Sequence, residues 1–326
     1  LVGTVKDEGP YLLEWICYYR LKGFDHLVIA SNDCTDGTRE ILDYLDDAGL
    51  ITHLENSEQD AGRPADPQNR AYQRIWDRSD VRHSEWVLVA DADEFLNIHV
   101  GDGTLDALFA ALEGRPDLIS VPWQVFGNSG IVQFVDEPVI GQFTKAAARA
   151  VHRIQRYSAF KTMFRPRVVK RLGIHRPKLA PRFRNQERPL LWVNGSGAPL
   201  PERYLTQGWR FFEESYGAGL VSMNHYMIKS SEAFLMKRYR GTANSADEDR
   251  IDFSYFETFN ANAVTEAGIQ RHFPALSAAI NTLKAQHPQL AELHDDGIAY
   301  HLKKLATARE DIVRTMPDVA ARLALL

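Results

Sequence analysis

The stretch VLVADADEF, residues 87–95, runs from an apolar segment straight into three carboxylates. Four apolar residues in a row are typical of a buried strand. Asp91, Asp93 and Glu94 follow within four positions. Carboxylates this close repel one another and raise each other's pKa unless a cation lies among them. The stretch therefore predicts a buried strand that ends at a functional site, and the alternative is an acidic turn whose side chains are solvated.

Strands and helices alternate before and around this stretch. The strand-like runs lie at residues 1–5, 26–31, 51–56 and 85–95. The helical patterns between them lie at residues 11–23, 39–49 and 67–79. This alternation predicts a parallel sheet in an α/β domain, whose ligands bind at the carboxyl ends of the strands. Polar residues follow the first two strands as well, namely Lys6, Asp7, Glu8, Asn32 and Asp33.

The pattern changes after residue 115. Two further strands are predicted, in LISVPWQVFGNSG at 118–130 and in GLVSMNHYMI at 219–228. From about Ala263 to the end the pattern is helical, and three prolines are expected to interrupt it because proline cannot continue a helix interior. They are Pro274, Pro288 and Pro317.

The spacing of the acids predicts a metal site. In a strand, residues two apart point to the same face, so Asp91 and Asp93 would project together. If the chain instead turns at Asp93, then Asp93 and Glu94 would reach a common point. Mg²⁺ and Mn²⁺ accept carboxylate ligands, and with one or two of these they keep positions open for water or phosphate oxygens. We therefore expect Mn²⁺ or Mg²⁺ as the cofactor.

Five motifs, in order along the chain, resemble those of known enzymes. They are VKDEGPYLLEW at 5–15, IASNDCTDGT at 29–38, VADADEFL at 89–96, VPWQVFGNSG at 121–130 and NHYMIKSSEAFLMKRYRG at 224–241. Together they resemble the nucleotide-sugar glycosyltransferases of the GT-A type, and more specifically the bacterial family-2-like branch that is related to the family-92 group. The resemblance spans about residues 2–260 and leaves out the helical tail.

This resemblance implies a fold and an activity. The expected fold is α/β, a GT-A Rossmann-like mixed sheet with helices on both faces and a C-terminal helical extension. The expected activity is metal-dependent transfer of a sugar from a nucleotide-diphosphate donor, a UDP-sugar, to a hydroxyl acceptor with inversion, in polysaccharide or glycoconjugate synthesis. Residues 1–115 would bind the nucleotide sugar, residues 116–260 the acceptor, and residues 261–326 would form the extension.

The resemblance also implies roles for single residues. Asp93 would bind the metal directly, Asp91 would contact ribose or reach the metal through water, and His225 would be a further ligand. His175 is the competing candidate for that position. The donor pocket would be lined by Lys6, Glu8, Asn32, Asp33, Asp91 and Lys229. A plain Asx turn is the alternative interpretation of Asn32 and Asp33.

An inverting transfer needs a general base within about 3 Å of the acceptor hydroxyl. The acidic run ADEDRID, residues 246–252, supplies the candidates Asp247, Glu248, Asp249 and Asp252. Glu137 is a further candidate. The sequence leaves all five open, with a preference for Asp249.

Basic residues are concentrated between Lys145 and Arg188, where fourteen of them accompany a single acid, Glu187. This stretch suits an anionic partner, although the net charge of the chain is −5. We expect a carbohydrate or glycolipid acceptor, with an anionic one as an option, peripheral contact with a membrane, and no nucleic acid partner. A solvated basic face is the alternative.

Composition narrows the expected location. Two cysteines without a Cys-x-x-Cys pair argue against a disulfide framework and indicate a reducing compartment. No signal peptide is recognisable, and no apolar run approaches the roughly 18 residues of a membrane helix. A leader or anchor could nevertheless precede Leu1, since the chain does not start with Met. The expected location is the cytoplasm, with the inner face of the membrane as a further option.

Two other functions use similar features. A phosphatase that forms an aspartyl-phosphate also carries Asp-x-Asp at a strand end. Its motif belongs on the first strand and is usually followed by Thr, whereas here it follows the fourth strand and the equivalent residue is Phe95. A non-catalytic carbohydrate-binding protein of the same fold would have lost the carboxylates that this chain has kept.

Overall fold

The computed structural model describes residues 1–57, 67–148, 156–187, 189–240 and 252–325. The strands in these ranges are β1 Val2–Val5, β2 Val28–Ser31, β3 Thr52–Glu55, β4 Val87–Leu88, β5 Glu94–Ile98, β6 Leu118–Val125, β7 Lys145–Ala146, β8 Phe160–Phe164, β9 Val169–Arg171, β10 Lys178–Leu179, β11 Trp192–Asn194, β12 Val221–His225 and β13 Val264–Thr265. The helices are α1 Gly9–Leu21, α2 Thr38–Asp47, α3 Pro67–Asp77, α4 Ser79–Arg82, α5 Leu105–Ala111, α6 Val139–Gln142, α7 Pro181–Arg184, α8 Ser231–Arg240, α9 Phe253–Phe259, α10 Phe273–Gln286, α11 Pro288–Thr315 and α12 Pro317–Arg322.

The order of strands in the sheet reverses at β1. Strands β1, β2 and β3 are parallel neighbours in that order. On its other side β1 meets the residue after β4, through a parallel bridge between Val2 and Val89. Beyond β4 the order continues β8, β6, β12 and β5, with both parallel and antiparallel pairs. Such a reversal opens a crevice at the carboxyl ends of the two strands that flank it, here β1 and β4.

Helices cover both faces of the sheet, as predicted. Successive residues of a strand point to opposite faces. Ile29 of β2 therefore packs in one core with α1 and α2, whereas Val28 and Ala30 pack in another with α3. Burial on both faces explains why the parallel strands are continuous apolar runs. The predicted α/β mixed sheet with a C-terminal helical extension is confirmed.

The predicted single strand over residues 85–95 is wrong at its centre. Strand β4 ends at Leu88, the chain turns at Ala92 and Asp93, and β5 starts at Glu94. Strand β5 then pairs antiparallel with β12, which sets His225 opposite Glu94. The turn is held from α1, because Trp15 Nε1 and Tyr19 Oη both donate hydrogen bonds to the Glu94 carbonyl oxygen, at 3.2 and 3.0 Å.

The C-terminal helices begin where the prolines predicted breaks. Each of α10, α11 and α12 carries its proline in the first turn, where the missing N–H has no partner to lose. The start of the tail differs from the prediction, because Val264–Thr265 forms β13 and pairs with β7. Helix α11 contributes Leu290 to the core of α1 and α2, and Leu305 to that of α8. In the described part of the chain no helix combines the length and the apolarity needed to span a membrane.

Candidate active site

Lys161 is the counterion of two of the three acids. This side chain is fully buried in β8, with Nζ 2.9 Å from Asp91 Oδ2 and 3.1 Å from Glu94 Oε2. Burial alone would lower the pKa of Lys161, but the two carboxylates raise it above its usual value. Burial in turn raises the pKa of Glu94, against the attraction of Lys161. Glu94 also accepts a 2.8 Å hydrogen bond from Trp123 Nε1. Its carboxylate is therefore held by contacts inside the protein.

Asp93 has a different set of partners. Lys237 Nζ lies 2.9 Å from its Oδ2 and also donates to the Met227 carbonyl at 3.0 Å. His225 Nε2 lies 3.3 Å from its Oδ1. Burial alone would raise the pKa of Asp93, but Lys237 and His225 together bring it well below its usual range. Asp93 is therefore ionised at neutral pH, and the predicted neighbourhood of Asp93 and His225 is present.

The two candidate histidines have different surroundings. The His225 ring packs 4.4 Å from the Trp123 ring, and its buried Nδ1 has no hydrogen bond. His175 instead stacks on Trp209, with 4.2 Å between ring centroids. Burial, with the charges of Lys161 and His225, lowers the pKa of His175 to about 3. The geometry thus sets His225 against Asp93, and His175 on the far side of Trp123.

The donor atoms present fit a metal at one edge of the cluster. Asp93 Oδ1 and His225 Nε2, 3.3 Å apart, are close enough to bind one cation from adjacent positions. An oxygen and an imidazole nitrogen suit Mn²⁺ better than Mg²⁺. Within the described ranges no three His, Cys, Asp or Glu residues form a metal-binding group, so such an ion would have two protein ligands. Asp91 is tied to Lys161, with its side chain 31% exposed.

A cavity of about 430 Å³ lies at the carboxyl ends of β1 and β2. Its sheet side is formed by Lys6, Asp7, Asp33, Thr35 and Asp36. Its other walls are the segment after β12, helix α8 and helix α11. Lys237 joins this cavity to the acid cluster, because its side chain lines the cavity while its Nζ contacts Asp93.

Three residues at the cavity have left-handed backbone conformations. They are Asp7 at φ 49°, Asp33 at φ 45° and Lys229 at φ 57°. Such angles are strained for residues with a Cβ, least so for Asp, and they are retained where the surroundings fix them. Asp7 Oδ1 accepts a 2.6 Å hydrogen bond from the Thr35 N–H, which ties the loops after β1 and β2 together. Lys229 Nζ lies 4.1 Å over the Tyr11 ring.

Apart from Asp91, which is paired with Lys161, the predicted donor-pocket residues divide into two groups. Lys6, Asp33 and Lys229 line the cavity. Glu8 and Asn32 are buried beside it. The Asn32 side-chain amide forms hydrogen bonds within the protein, donating to Asp33 Oδ2 at 3.1 Å and accepting from Asn56 Nδ2 at 3.2 Å. Asn32 therefore positions the Asp33 side chain.

The predicted base candidates lie apart from the cavity where the structure describes them. Asp252 caps α9, accepting hydrogen bonds from the Tyr255 N–H at 2.9 Å and from Ser254 Oγ at 2.7 Å. Glu137 is exposed on the loop before α6. Asp247, Glu248 and Asp249 lie outside the described residues, so their role stays a prediction.

The basic stretch does not form a single exposed face among its described residues. Arg165 stacks over Trp86 at 4.4 Å and lies 3.1 Å from Glu85. Arg167 lies 2.5 Å from Asp117. These two residues therefore bind acids close to the starts of β4 and β6, whereas Lys170, Arg171 and Lys178 are exposed, and an anionic acceptor stays a prediction.

Two functional lysines were missed in the sequence. Lys161 interrupts the apolar run AFKTMF, residues 159–164, and a lysine inside a buried strand requires an acidic partner. That requirement points to one of the acidic strand ends, of which residues 91–94 carry the most carboxylates. Lys237 carries no such signal, because it stands in KRYR at 237–240 among basic residues that are ordinary on a helix surface.

Comparison with known proteins identifies the family of this site. The model described as Glycosyltransferase family 92 matches residues 5–189. No curated protein sequence matches the chain. Among solved structures, TarS of S. aureus, residues 1–349, is 14% identical, with 96% of this chain and 90% of that chain covered and a TM-score of 0.35.

Two further structures are similar at the same level. The complex of TarS 1–349 with UDP-GlcNAc is 14% identical, with 99% of this chain and 87% of that chain covered and a TM-score of 0.36. An active-site mutant of LgtC is 13% identical, with 81% of this chain and 97% of that chain covered and a TM-score of 0.34. At such scores the likeness does not bear on substrates.

Proposed function

This chain belongs to glycosyltransferase family 92, and from that premise we propose that it transfers a sugar from a nucleoside diphosphate donor, a UDP-sugar, to a hydroxyl acceptor. The observation that carries the proposal is the junction at Lys237, where an ionised, metal-competent Asp93 meets a cavity lined by both carboxylates and lysines. A nucleotide sugar has matching chemistry, because its central diphosphate links a nucleoside and a sugar that both carry hydroxyls.

The lining residues would fix the orientation of the donor in the cavity. Asp7 and Asp33 project from strained loops at the ends of β1 and β2, where carboxylates can accept hydrogen bonds from ribose hydroxyls or a base N–H. Lys229 and Lys237 lie at the α8 side, and ammonium groups attract phosphate oxygens. The diphosphate would therefore face Asp93.

The lysines and the metal would stabilise the leaving group. As the bond from the sugar to phosphate breaks, negative charge grows on the departing oxygen, and fixed cations that face it lower the barrier. Asp93 and His225 would hold Mn²⁺, which supplies Lewis-acid stabilisation of that charge when bound. Lys237 would neutralise Asp93 when no metal is bound, so that the buried carboxylate keeps a partner.

An inverting transfer also needs a general base and an acceptor. Inversion needs a base on the face of the sugar opposite the diphosphate, and Asp249 stays our candidate because Asp252 is engaged as a helix cap. An anionic carbohydrate or glycolipid acceptor, met at a membrane surface, stays the proposed partner. Polysaccharide or glycoconjugate synthesis is the process that such a reaction would serve.

Purified protein incubated with UDP-sugars and Mn²⁺ tests the proposal. A transferase releases UDP from a UDP-sugar, whereas a carbohydrate-binding protein does not. A phosphatase would instead release inorganic phosphate from a phosphate monoester, which is assayed in parallel. UDP should raise the melting temperature only with Mn²⁺ or Mg²⁺, since without the metal Lys237 stays engaged with Asp93 instead of the diphosphate. Equal stabilisation in excess chelator would remove the metal from the proposal, and failure of every UDP-sugar to yield UDP would remove the donor.

A further inference from the structure

Helix α11 forms one wall of the cavity although it lies outside the matched family region. The family match ends at residue 189, whereas α11 starts at Pro288. Tyr300, Lys304 and Thr307 of this helix nevertheless line the same cavity as Lys6 and Asp33. The site is therefore completed by a segment that its family region does not contain.

One end of this wall is fixed against the loop after β2. Gly297 packs so closely that a Cβ built on it would lie 3.2 Å from the Asp36 carbonyl oxygen. One turn further on, Tyr300 Oη donates a 3.3 Å hydrogen bond to Thr35 Oγ1. Since Thr35 is bound to Asp7 through its N–H, the Tyr300 ring is positioned at the acidic end of the cavity.

The other end of the wall is fixed to α8. Arg309 Nη1 lies 3.1 Å from Glu232, and Tyr239 Oη donates a 2.6 Å hydrogen bond to Asp311. The helix therefore crosses the cavity from the end of β2 to α8. Lys304 lies between these anchors, one helical turn or about 6 Å beyond Tyr300 towards α8.

Lys304 is a cation available for a ligand. Among the described residues it forms no ion pair, and its recorded contact is with the Tyr300 ring, 5.4 Å from Nζ to the centroid. The lysine at the inner end of the cavity, Lys237, is by contrast engaged with Asp93. An ammonium group that lines a cavity without an acidic partner favours an anionic occupant.

We propose that α11 completes the donor site, with Tyr300 packing against the nucleoside and Lys304 contacting the diphosphate. This assignment rests on the proposed function, because it takes a nucleoside diphosphate as the occupant. It makes the C-terminal helix a determinant of donor affinity and adds two residues that the family motifs do not include.

Binding of UDP and of uridine to the full chain, by calorimetry with Mn²⁺ present, tests the assignment. Lys304→Gln should weaken UDP by about tenfold, the scale of one charge-assisted hydrogen bond, and leave uridine unchanged. Tyr300→Leu should weaken both ligands by a similar factor, since it removes the surface under the nucleoside. Lys303→Gln is the matched control, because Lys303 is exposed on the same helix and does not line the cavity.

Several outcomes would overturn the assignment. If Lys304→Gln binds UDP as tightly as wild type, Lys304 does not contact the diphosphate. The same conclusion follows if this variant loses equal affinity for UDP and for uridine. If the variants keep their affinity for UDP but show a raised KM for the acceptor, α11 belongs to the acceptor site instead. If the wild type itself binds no UDP, the proposed function falls as well, whereas wild-type binding with insensitive variants overturns only the role of α11. Lys304 is exposed, so its substitution leaves folding intact, and a melting curve checks this.

Discussion

The acid cluster has two sides that differ in how their lysines are held. Lys161 sits on a strand between β4 and β6, fully buried between Asp91 and Glu94. Lys237 sits on α8 at the cavity wall, with its side chain 15% exposed beside Asp93. A lysine fixed within a sheet can only stabilise its acids, whereas one that borders a cavity can leave its acid when another cation arrives. We therefore expect the lysine–acid pair to be structural at Lys161 and exchangeable at Lys237.

The largest effect should come from removing the structural lysine. Lys161→Met leaves two carboxylates facing each other without a counterion, and breaking a buried pair in this way costs about 3–5 kcal/mol. Urea unfolding measures the loss. Lys237→Met is the control and should cost well under half as much, because Asp93 keeps His225 and some access to solvent. Equal losses for the two variants would abolish the distinction between the two sides.

The exchangeable side should control the rate instead. Asp93→Asn keeps the shape but removes the charge that would hold Mn²⁺, and it should slow transfer by about 10² to 10³-fold, or about 3–4 kcal/mol. The variant should remain folded at 25 °C. Asp91→Asn should be milder in rate, since Lys161 still binds Glu94. Transfer rate and unfolding are measured on the same preparations, and a destabilised Asp93→Asn with normal specific activity would contradict a metal-binding role.

Glu14, a buried acid outside the cluster, sharpens the comparison because backbone N–H groups bind its carboxylate. Glu14 accepts backbone hydrogen bonds from the Val139 and Ile140 N–H groups at 2.7 and 3.1 Å, and burial raises its pKa from 4.5 to about 7. The native state then binds this proton more tightly than the unfolded chain does. The free energy of unfolding should therefore fall as pH rises from about 4.5 to 7, by at most about 3 kcal/mol.

Chemical unfolding of wild type and Glu14→Gln at pH 5, 6, 7 and 8 measures this component. The wild-type free energy of unfolding should decline relative to the variant up to about pH 7 and stay level above it. Parallel curves would show that Glu14 titrates near its ordinary value. The acid at Asp93 should behave in the opposite sense, since its depressed pKa gives stability that is lost only as pH falls below the usual Asp range.

Much of the N-terminal fold is legible in the sequence. The strand and helix runs before residue 90 are local patterns with clear boundaries, such as Gly23 after α1, and they alternate at lengths that only a βαβ arrangement explains. The position of the acids at a strand end then follows from the sheet rule. The pairing of Asp93 with His225 came from the resemblance, not from spacing, since 132 residues separate them.

The parts that were not predicted depend on distant contacts. The turn at Ala92 and Asp93 is held by Trp15 and Tyr19, and no pattern within VLVADADEF records that. The cavity wall from α11 depends on Gly297, whose closeness to Asp36 is invisible in a helical pattern. Such features are set by tertiary packing, which local propensity does not encode.

The smallest effect should come from Asp252, which lies away from both lysines. Its carboxylate caps α9, and replacing such a cap by Ala costs about 1 kcal/mol. Asp252→Ala should therefore lower stability slightly and leave transfer unchanged, whereas Asp252→Asn should retain the cap. A fall of 10²-fold in rate for both variants would instead identify Asp252 as the general base and move the catalytic centre towards α9.

The seating of α11 on the loop after β2 has a consequence for biosynthesis. The ribosome synthesises Gly297 long after Gly37. The two residues are nevertheless in contact in the folded protein, since a Cβ on Gly37 would lie 3.7 Å from Gly297 Cα. At the usual 5–20 residues per second a ribosome needs roughly 15–50 s to pass from one segment to the other. During that interval α1 and α2 expose the apolar surface that α10 and α11 later cover. Chaperone binding to translating ribosomes should accordingly be strongest before α11 emerges.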